Sequence, residues 1–165
     1  MIDTRKCSPQ EEDTGTVECE RPYVLVGRRC LLLAPGEKLT WAAARQYCVG
    51  HGGDLAIIYD ANDFAAILHY INLITGARTH ENVWVGGSDE TVEGVWIWNN
   101  GLLMPMGPPF WGYTNNYTSE PGGERRQNCA VIFAKDLYLH DIECTEKEAP
   151  LCQLKTRDSN VNTLQ

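Results

Sequence analysis

Seven cysteines punctuate the chain of 165 residues, at positions 7, 19, 30, 48, 129, 144 and 152. No two of them form a Cys-x-x-Cys pair, so a zinc ribbon or a thioredoxin-type redox site lacks its motif. This density of thiols suits an oxidising compartment, where bridges persist. Cys7 stands apart in a polar leader. The other six fall in the globular part and allow many pairings, among which counting alone does not choose. Cys7 has two readings, a free thiol or a bridge to another chain.

Composition narrows the class. Hydrophobic residues make up 43% and charged residues 22%, an ordinary globular balance. The formal net charge of −8 disfavours nucleic acid, whose phosphates require a basic surface, and disfavours anionic membranes as well. No apolar run is long enough to span a bilayer. The opening MIDTRKCSPQEEDTG has no apolar core of the signal-peptide kind, as in a trimmed or partial chain.

The patterning divides the chain into a polar leader (1–18), a folded unit (19–155) and a polar tail (156–165). YVLVGRRCLLL (23–33) reads as two strands around a Gly-Arg-Arg turn. TWAAARQYC (40–48) reads as a helix with Thr40 as cap and Trp41, Ala44 and Cys48 on one face; the glycines of HGGDL end it. A second helix follows in DANDFAAILHYINLITG, capped by Asp60 and stopped by Gly76. Its stripe of Phe64, Ile67, Leu68, Ile71 and Ile74 is core-facing. Beyond residue 81 the period changes to two. NVWVGG, GVWIW, NCAVIF, DLYLHDIEC and PLCQLK are short strands, with Trp96 and Trp98 on one face and Val95 and Ile97 on the other. Between Gly101 and Asn128 runs a long segment rich in Gly, Pro and Asn. Such length without regular structure marks a functional loop, and Phe110 and Trp111 can anchor it.

Three independent motifs carry a family resemblance over residues 19–154. TWAAARQYCVGHGGDLA, VWVGGSDETVEGVWIWNNG and the closing spacing Cys129-x14-Cys144-x7-Cys152 resemble those of the C-type lectin-like domains, in the style of secreted single-domain invertebrate lectins. The resemblance implies an α+β fold. Two helices pack on small antiparallel sheets, with a long irregular binding loop and disulfide staples. It implies bridges Cys48–Cys152 and Cys129–Cys144, with Cys19–Cys30 closing an added N-terminal hairpin. It also implies a calcium ion in the long loop that binds sugar hydroxyls directly, and a secreted, extracellular setting.

Fold does not fix function, so the family's site is carried over residue by residue. The calcium-binding members have Glu-Pro-Asn or Gln-Pro-Asp in the loop, with a cis bond before the proline. Here SEPGG supplies Glu120 and Pro121, but Gly122 stands where the asparagine would be. The glutamate two before the next cysteine is Gln127, a neutral oxygen donor. The strand Asn-Asp pair is His140 and Asp141. His140 offers nitrogen, which a hard cation such as calcium accepts poorly. The resemblance thus assigns Glu120, Gln127, His140 and Asp141 to both metal and carbohydrate, with Glu124 near enough to lean in. For an auxiliary metal site, Asp89 and Glu93 match the family's ligands. Gly123, Gln127 and Asn128 replace its loop carboxylates. The plainer reading makes Asp89 a turn residue and Glu93 an exposed acid.

Other chemistry has less support. No Ser/His/Asp or Cys/His arrangement carries a known motif, so the expectation is not an enzyme. Zinc held by His140, Asp141 and Glu120 is an alternative to calcium. Asn116-Tyr117-Thr118 is an N-glycosylation sequon, which would make this a glycoprotein. Two functional classes follow. One is a secreted lectin that binds a carbohydrate or glycoconjugate through a weakened calcium site, as in innate pattern recognition on microbial surfaces. The other is a calcium-independent interaction module for a protein or other surface.

Overall fold

The computed structural model describes residues 18–76, 81–115, 117–122 and 125–155. Cys7 and Asn116 lie outside them, as do Gly123 and Glu124, so the intermolecular bridge, the glycan and the leaning Glu124 have no structural counterpart here.

The chain opens with a hairpin of β1 (Val24–Val26) and β2 (Arg29–Leu33). Val26 pairs with Arg29 across a Gly27-Arg28 turn, and Gly27 supplies the positive φ, 62°, that this tight turn demands. Cys19–Cys30 pins the hairpin to the preceding segment. Helix α1 (Trp41–Gly50) begins where Thr40 accepts a hydrogen bond from the Ala43 N–H, and it buries Trp41, Ala44 and Cys48. It runs to Gly50 and is capped at His51, the first residue of the expected HGGDL stop. After β3 (Gly53–Leu55), helix α2 (Ala61–Thr75) starts on Asp60, whose carboxylate accepts from the Asp63 N–H at 2.8 Å, and stops at Gly76.

The α2 stripe differs from its sequence reading at two positions. Phe64, Ile67 and Ile71 are buried, and so is Tyr70, whose hydroxyl accepts the Leu33 N–H. Ile74 is exposed, because the last turn of the helix extends past the core.

The remaining strands are β4 (Val83–Ser88), β5 (Ile97–Trp98), β6 (Tyr113–Thr114), β7 (Thr118–Ser119), β8 (Cys129–Ile132), β9 (Leu139–Ile142) and β10 (Ala149–Leu154). The main sheet runs β1-β2-β10-β4-β8-β9, with β3 added on β10 and β5 on β4. Its pairs are antiparallel except one. β10 and β4 run parallel, Ala149 opposite Val83, so the sheet is mixed where the sequence suggested antiparallel sheets alone. Cys48–Cys152 ties α1 to β10 across 104 residues, and Cys129–Cys144 closes the β8–β9 segment. All three bridges are those the family resemblance implied.

Two apolar clusters share this sheet. One joins α2 to Val83, Val85, Trp96, Trp98, Met104 and Trp111; the other packs α1 and its disulfide against Trp84 and Val131. The long loop is anchored as its aromatics suggested. Trp111 is buried, meets Trp96 edge to face at 5.0 Å, and donates from Nε1 to the Pro105 carbonyl at 2.9 Å. Phe110 stacks on Phe64 of α2. The loop is not wholly irregular, since β6 and β7 form a small hairpin within it.

Candidate metal and ligand site

Strand β9 sets the floor of the site. It pairs with β8 so that Asp141 lies opposite Ala130 and His140 opposite Val131. The long loop is laid on its edge by backbone bonds. The Gly112 N–H donates to the Leu139 carbonyl at 3.0 Å, and the Glu120 N–H donates to the Gly112 carbonyl at 2.9 Å. These bonds deliver Glu120 from the loop to the pair His140–Asp141 on the strand. The Glu120–Pro121 bond is cis, as the resemblance implied.

The oxygens then converge on Gly122. Its N–H donates to Asp141 Oδ1 at 2.9 Å. A Cβ built on Gly122 would lie 3.6 Å from Glu120 Oε2, 3.7 Å from Gln127 Oε1 and 3.9 Å from Asp141 Oδ1. Glu120 and Asp141 are 7% and 3% exposed, and buried carboxylates require partners. Asp141 Oδ2 has none among the described residues. Burial, and then the hydrogen bond to Asp141 and its negative charge, push the Glu120 carboxyl up to about 8. Two acids crowd one desolvated spot, and an ordinary way to relieve that is a cation.

His140 has a carboxylate beside each of its ring nitrogens. Its Nδ1 lies 3.4 Å from Glu120 Oε1, and its Nε2 lies 2.8 Å from Asp136 Oδ2. The ring also packs on Phe133, with centroids 4.6 Å apart. It is thus a wall beside the carboxylate pair, held from behind. Thr114 donates its hydroxyl to Glu120 Oε1. Neither Thr114 nor Asp136 was singled out by sequence. The only sign of Asp136 is its i,i+4 spacing to His140, and Thr114 becomes a neighbour of Glu120 only through the β6–β7 hairpin. Close packing here depends on Gly112, where a Cβ would stand 2.5 Å from His140 Nε2 and 3.0 Å from the Tyr138 Cβ.

The donor set fits calcium in kind. Glu120, Gln127 and Asp141 offer hard oxygens around one point, and Asp141 Oδ2 lacks a partner. It falls short in number, since calcium takes six to eight oxygens. Zinc fits less well. His140, Asp141 and Glu120 do not bring their ligand atoms within 4.8 Å of one another. Among the described residues the one such group is Glu90 with Cys129 and Cys144, whose sulfurs are bonded to each other.

The auxiliary pair differs in burial. Asp89 is buried, accepts the Gly94 N–H at Oδ2 and so does the work of a turn residue. Its Oδ1 and the neighbouring Asn128 Oδ1 are both buried without a partner among the described residues. Glu93 is exposed.

The Lectin C-type domain model matches residues 37–154. The galactose-specific lectin nattectin of Thalassophryne nattereri is 33% identical over 143 residues, covering 84% of this chain and 81% of that protein. A solved calcium-independent type II antifreeze protein is 26% identical at TM-score 0.63, covering 82% of this chain and 93% of its own. The C-type lectin CEL-I from Cucumaria echinata superposes at TM-score 0.70 over 84% of this chain and 99% of its own; at 17% identity this is a likeness of fold alone.

Proposed function

The chain belongs to the C-type lectin domain family, and from that premise we propose that it is an extracellular carbohydrate-binding module. In this reading its sugar site is built on Glu120, Gln127 and Asp141 and is assisted by weakly held calcium. The observation that carries the reading is the convergence of three side-chain oxygens on Gly122 beside an unpartnered buried Asp141 Oδ2. Glu120 and Asp141 supply charge, Gln127 a neutral oxygen, and their remaining lone pairs accept from sugar hydroxyls. Calcium, when bound, would take the hydroxyl oxygens of a vicinal diol directly. His140 limits the space beside that diol and is a positioning residue rather than a ligand. Binding, with no reaction, is the role assigned. Three disulfides support an oxidising, secreted setting.

Affinity for the ion follows from the ligand count. Intact extracellular calcium modules work at roughly 10⁻⁴–10⁻³ M, and a missing ligand costs about tenfold, which places this site near ~10⁻² M. The test is retention on galactose and mannose resins at calcium well above that value, with chelator elution. Galactose is included because it is the sugar named for nattectin. Retention that chelator reverses, and that Glu120→Gln with Asp141→Asn abolishes, is the expected result. Retention indifferent to chelator or to both substitutions overturns the reading.

A second reading has its own observation. Glu120 Oε1 is already engaged by Thr114 and His140, an internal closure suited to a calcium-independent module. Equal binding to a partner surface with and without chelator would favour it.

A further inference from the structure

A separate cleft of about 1000 Å³ opens where the β1–β2 turn, the start of α2 and the end of β10 meet. It shares no residue with the site around Glu120. Its volume lies at the upper end of the range of small-ligand pockets.

The floor of this cleft is fixed. The Arg29 side chain is only 10% exposed. Its Nε and Nη2 donate to the two oxygens of Asp63 at 3.1 and 2.7 Å. Nη2 also donates to the Ile57 carbonyl and Nη1 to Gln153 Oε1, both at 2.6 Å. These bonds leave one Nη1 hydrogen free. The guanidinium lies over the Tyr59 ring, 4.8 Å from its centroid, and Asp63 also accepts the Tyr59 N–H at 2.9 Å. Tyr59 is therefore held at its backbone and backed by a cation, yet the residue remains 60% exposed. A rigid aromatic plate of this kind offers stacking area at low entropic cost.

The rim has a defined charge. Arg28 and Lys155 are exposed and have no carboxylate partner among the described residues. Asp63 is used up by Arg29, and Asp60 by the cap of α2. In a chain of net charge −8, two cations at one cleft without a carboxylate partner among the described residues are a local exception that favours an anion. Asn62 has no partner among the described residues. Asn100 spends only its carbonyl oxygen, on the Leu102 N–H, so both amides are free to meet hydroxyls.

We propose that this cleft is a second, calcium-independent glycan site that takes an acidic sugar. The sugar's apolar face would lie on Tyr59, its carboxylate or sulfate between Arg28 and Lys155, and its hydroxyls on Asn62 and Asn100. A neutral sugar leaves both cations unpaired and binds more weakly.

The test uses the full chain in excess chelator, so that the Glu120 site contributes no calcium-dependent binding. Amide NMR titration with sialyllactose, and with lactose as its uncharged counterpart, reads both affinity and place. The expected result is shifts at residues 27–29, 59–63 and 153–155, with sialyllactose binding about tenfold tighter than lactose. Tyr59→Ala and the pair Arg28→Glu with Lys155→Glu should each weaken it at least about tenfold, while Glu120→Gln leaves it unchanged. Both changes fall on exposed side chains, and the same spectra report whether the fold is kept. Equal affinity for the two sugars, shifts confined to residues 112–141, or no shifts at millimolar sialyllactose overturns the proposal. None of these outcomes bears on calcium-dependent retention, which tests the Glu120 site by itself.

Discussion

His140 Nε2 lies 2.8 Å from Asp136 Oδ2, one turn of loop earlier in the chain. An ionised carboxylate only accepts hydrogen bonds, so Nε2 carries the proton and Nδ1 is left facing Glu120 Oε1 at 3.4 Å. Long-range nitrogen–proton spectra of the metal-free protein should therefore show His140 protonated at Nε2. Asp136→Ala should give a mixture of tautomers. A ring protonated at Nδ1 alone would mean that Asp136 does not hold it.

The Glu120 shift also sets a pH dependence. Its carboxyl titrates from 4.5 in an unperturbed chain to about 8 in the fold. Between those values the folded state holds the extra proton, so stability from this group is complete below 4.5 and is lost as pH rises through 8. Other carboxylates titrate too, so the quantity to read is wild type minus Glu120→Gln. In chelator, urea midpoints at pH 5 and pH 8.5 should show the wild type losing ground to the variant. Added calcium displaces the proton, so its stabilising effect should grow over the same interval. Parallel pH profiles for the two proteins would contradict the assignment.

Gly112 tests the packing behind the site. A methyl group there would press on His140 Nε2, the Tyr138 Cβ and Asp136 Oδ2, at 2.5, 3.0 and 3.2 Å. Crowding of this order typically costs about 1–3 kcal/mol. Gly112→Ala should lower stability by that amount in urea unfolding and displace the ring from Glu120. A variant as stable as the wild type, with its His140 signals unmoved, would show that the wall yields freely.

The scaffold was legible because its signals are local. Thr40 and Asp60 cap their helices, Gly76 stops the second, and Trp96 and Trp98 alternate inward as the period of two requires. The cysteine pairing came from family spacing, not from counting. What escaped depends on contacts between distant segments. The parallel β4–β10 pair joins residues far apart in the chain, and β6–β7 is too short to show periodicity. At the site, motif matching pointed to Glu120, Gln127 and Asp141, whose oxygens the fold brings together beside Gly122. The partner of the His140 ring, Asp136, belongs to no motif and so could not be read from the sequence.

The substitution Gly122→Asn, with Gln127→Glu and His140→Asn, asks how far the site stands from a complete calcium cage. Gly122 is the most informative of the three. Its φ is not in the left-handed region, and the space its Cβ would occupy meets three oxygens at ordinary contact distance, 3.6 to 3.9 Å. An asparagine therefore fits without strain and places an amide among the oxygens of Glu120, Gln127 and Asp141. Gln127→Glu adds a charge, and His140→Asn exchanges a nitrogen for an oxygen while removing the wall held by Asp136. The three side chains would share one ion, so their effects will not add strictly. Calorimetry should nonetheless show calcium binding at least about tenfold tighter than in the wild type, with retention on mannose resin appearing or strengthening. A folded triple variant whose calcium titration matches the wild type would mean that the converging oxygens around Gly122 are not an ion site, and the calcium-independent reading would then take precedence.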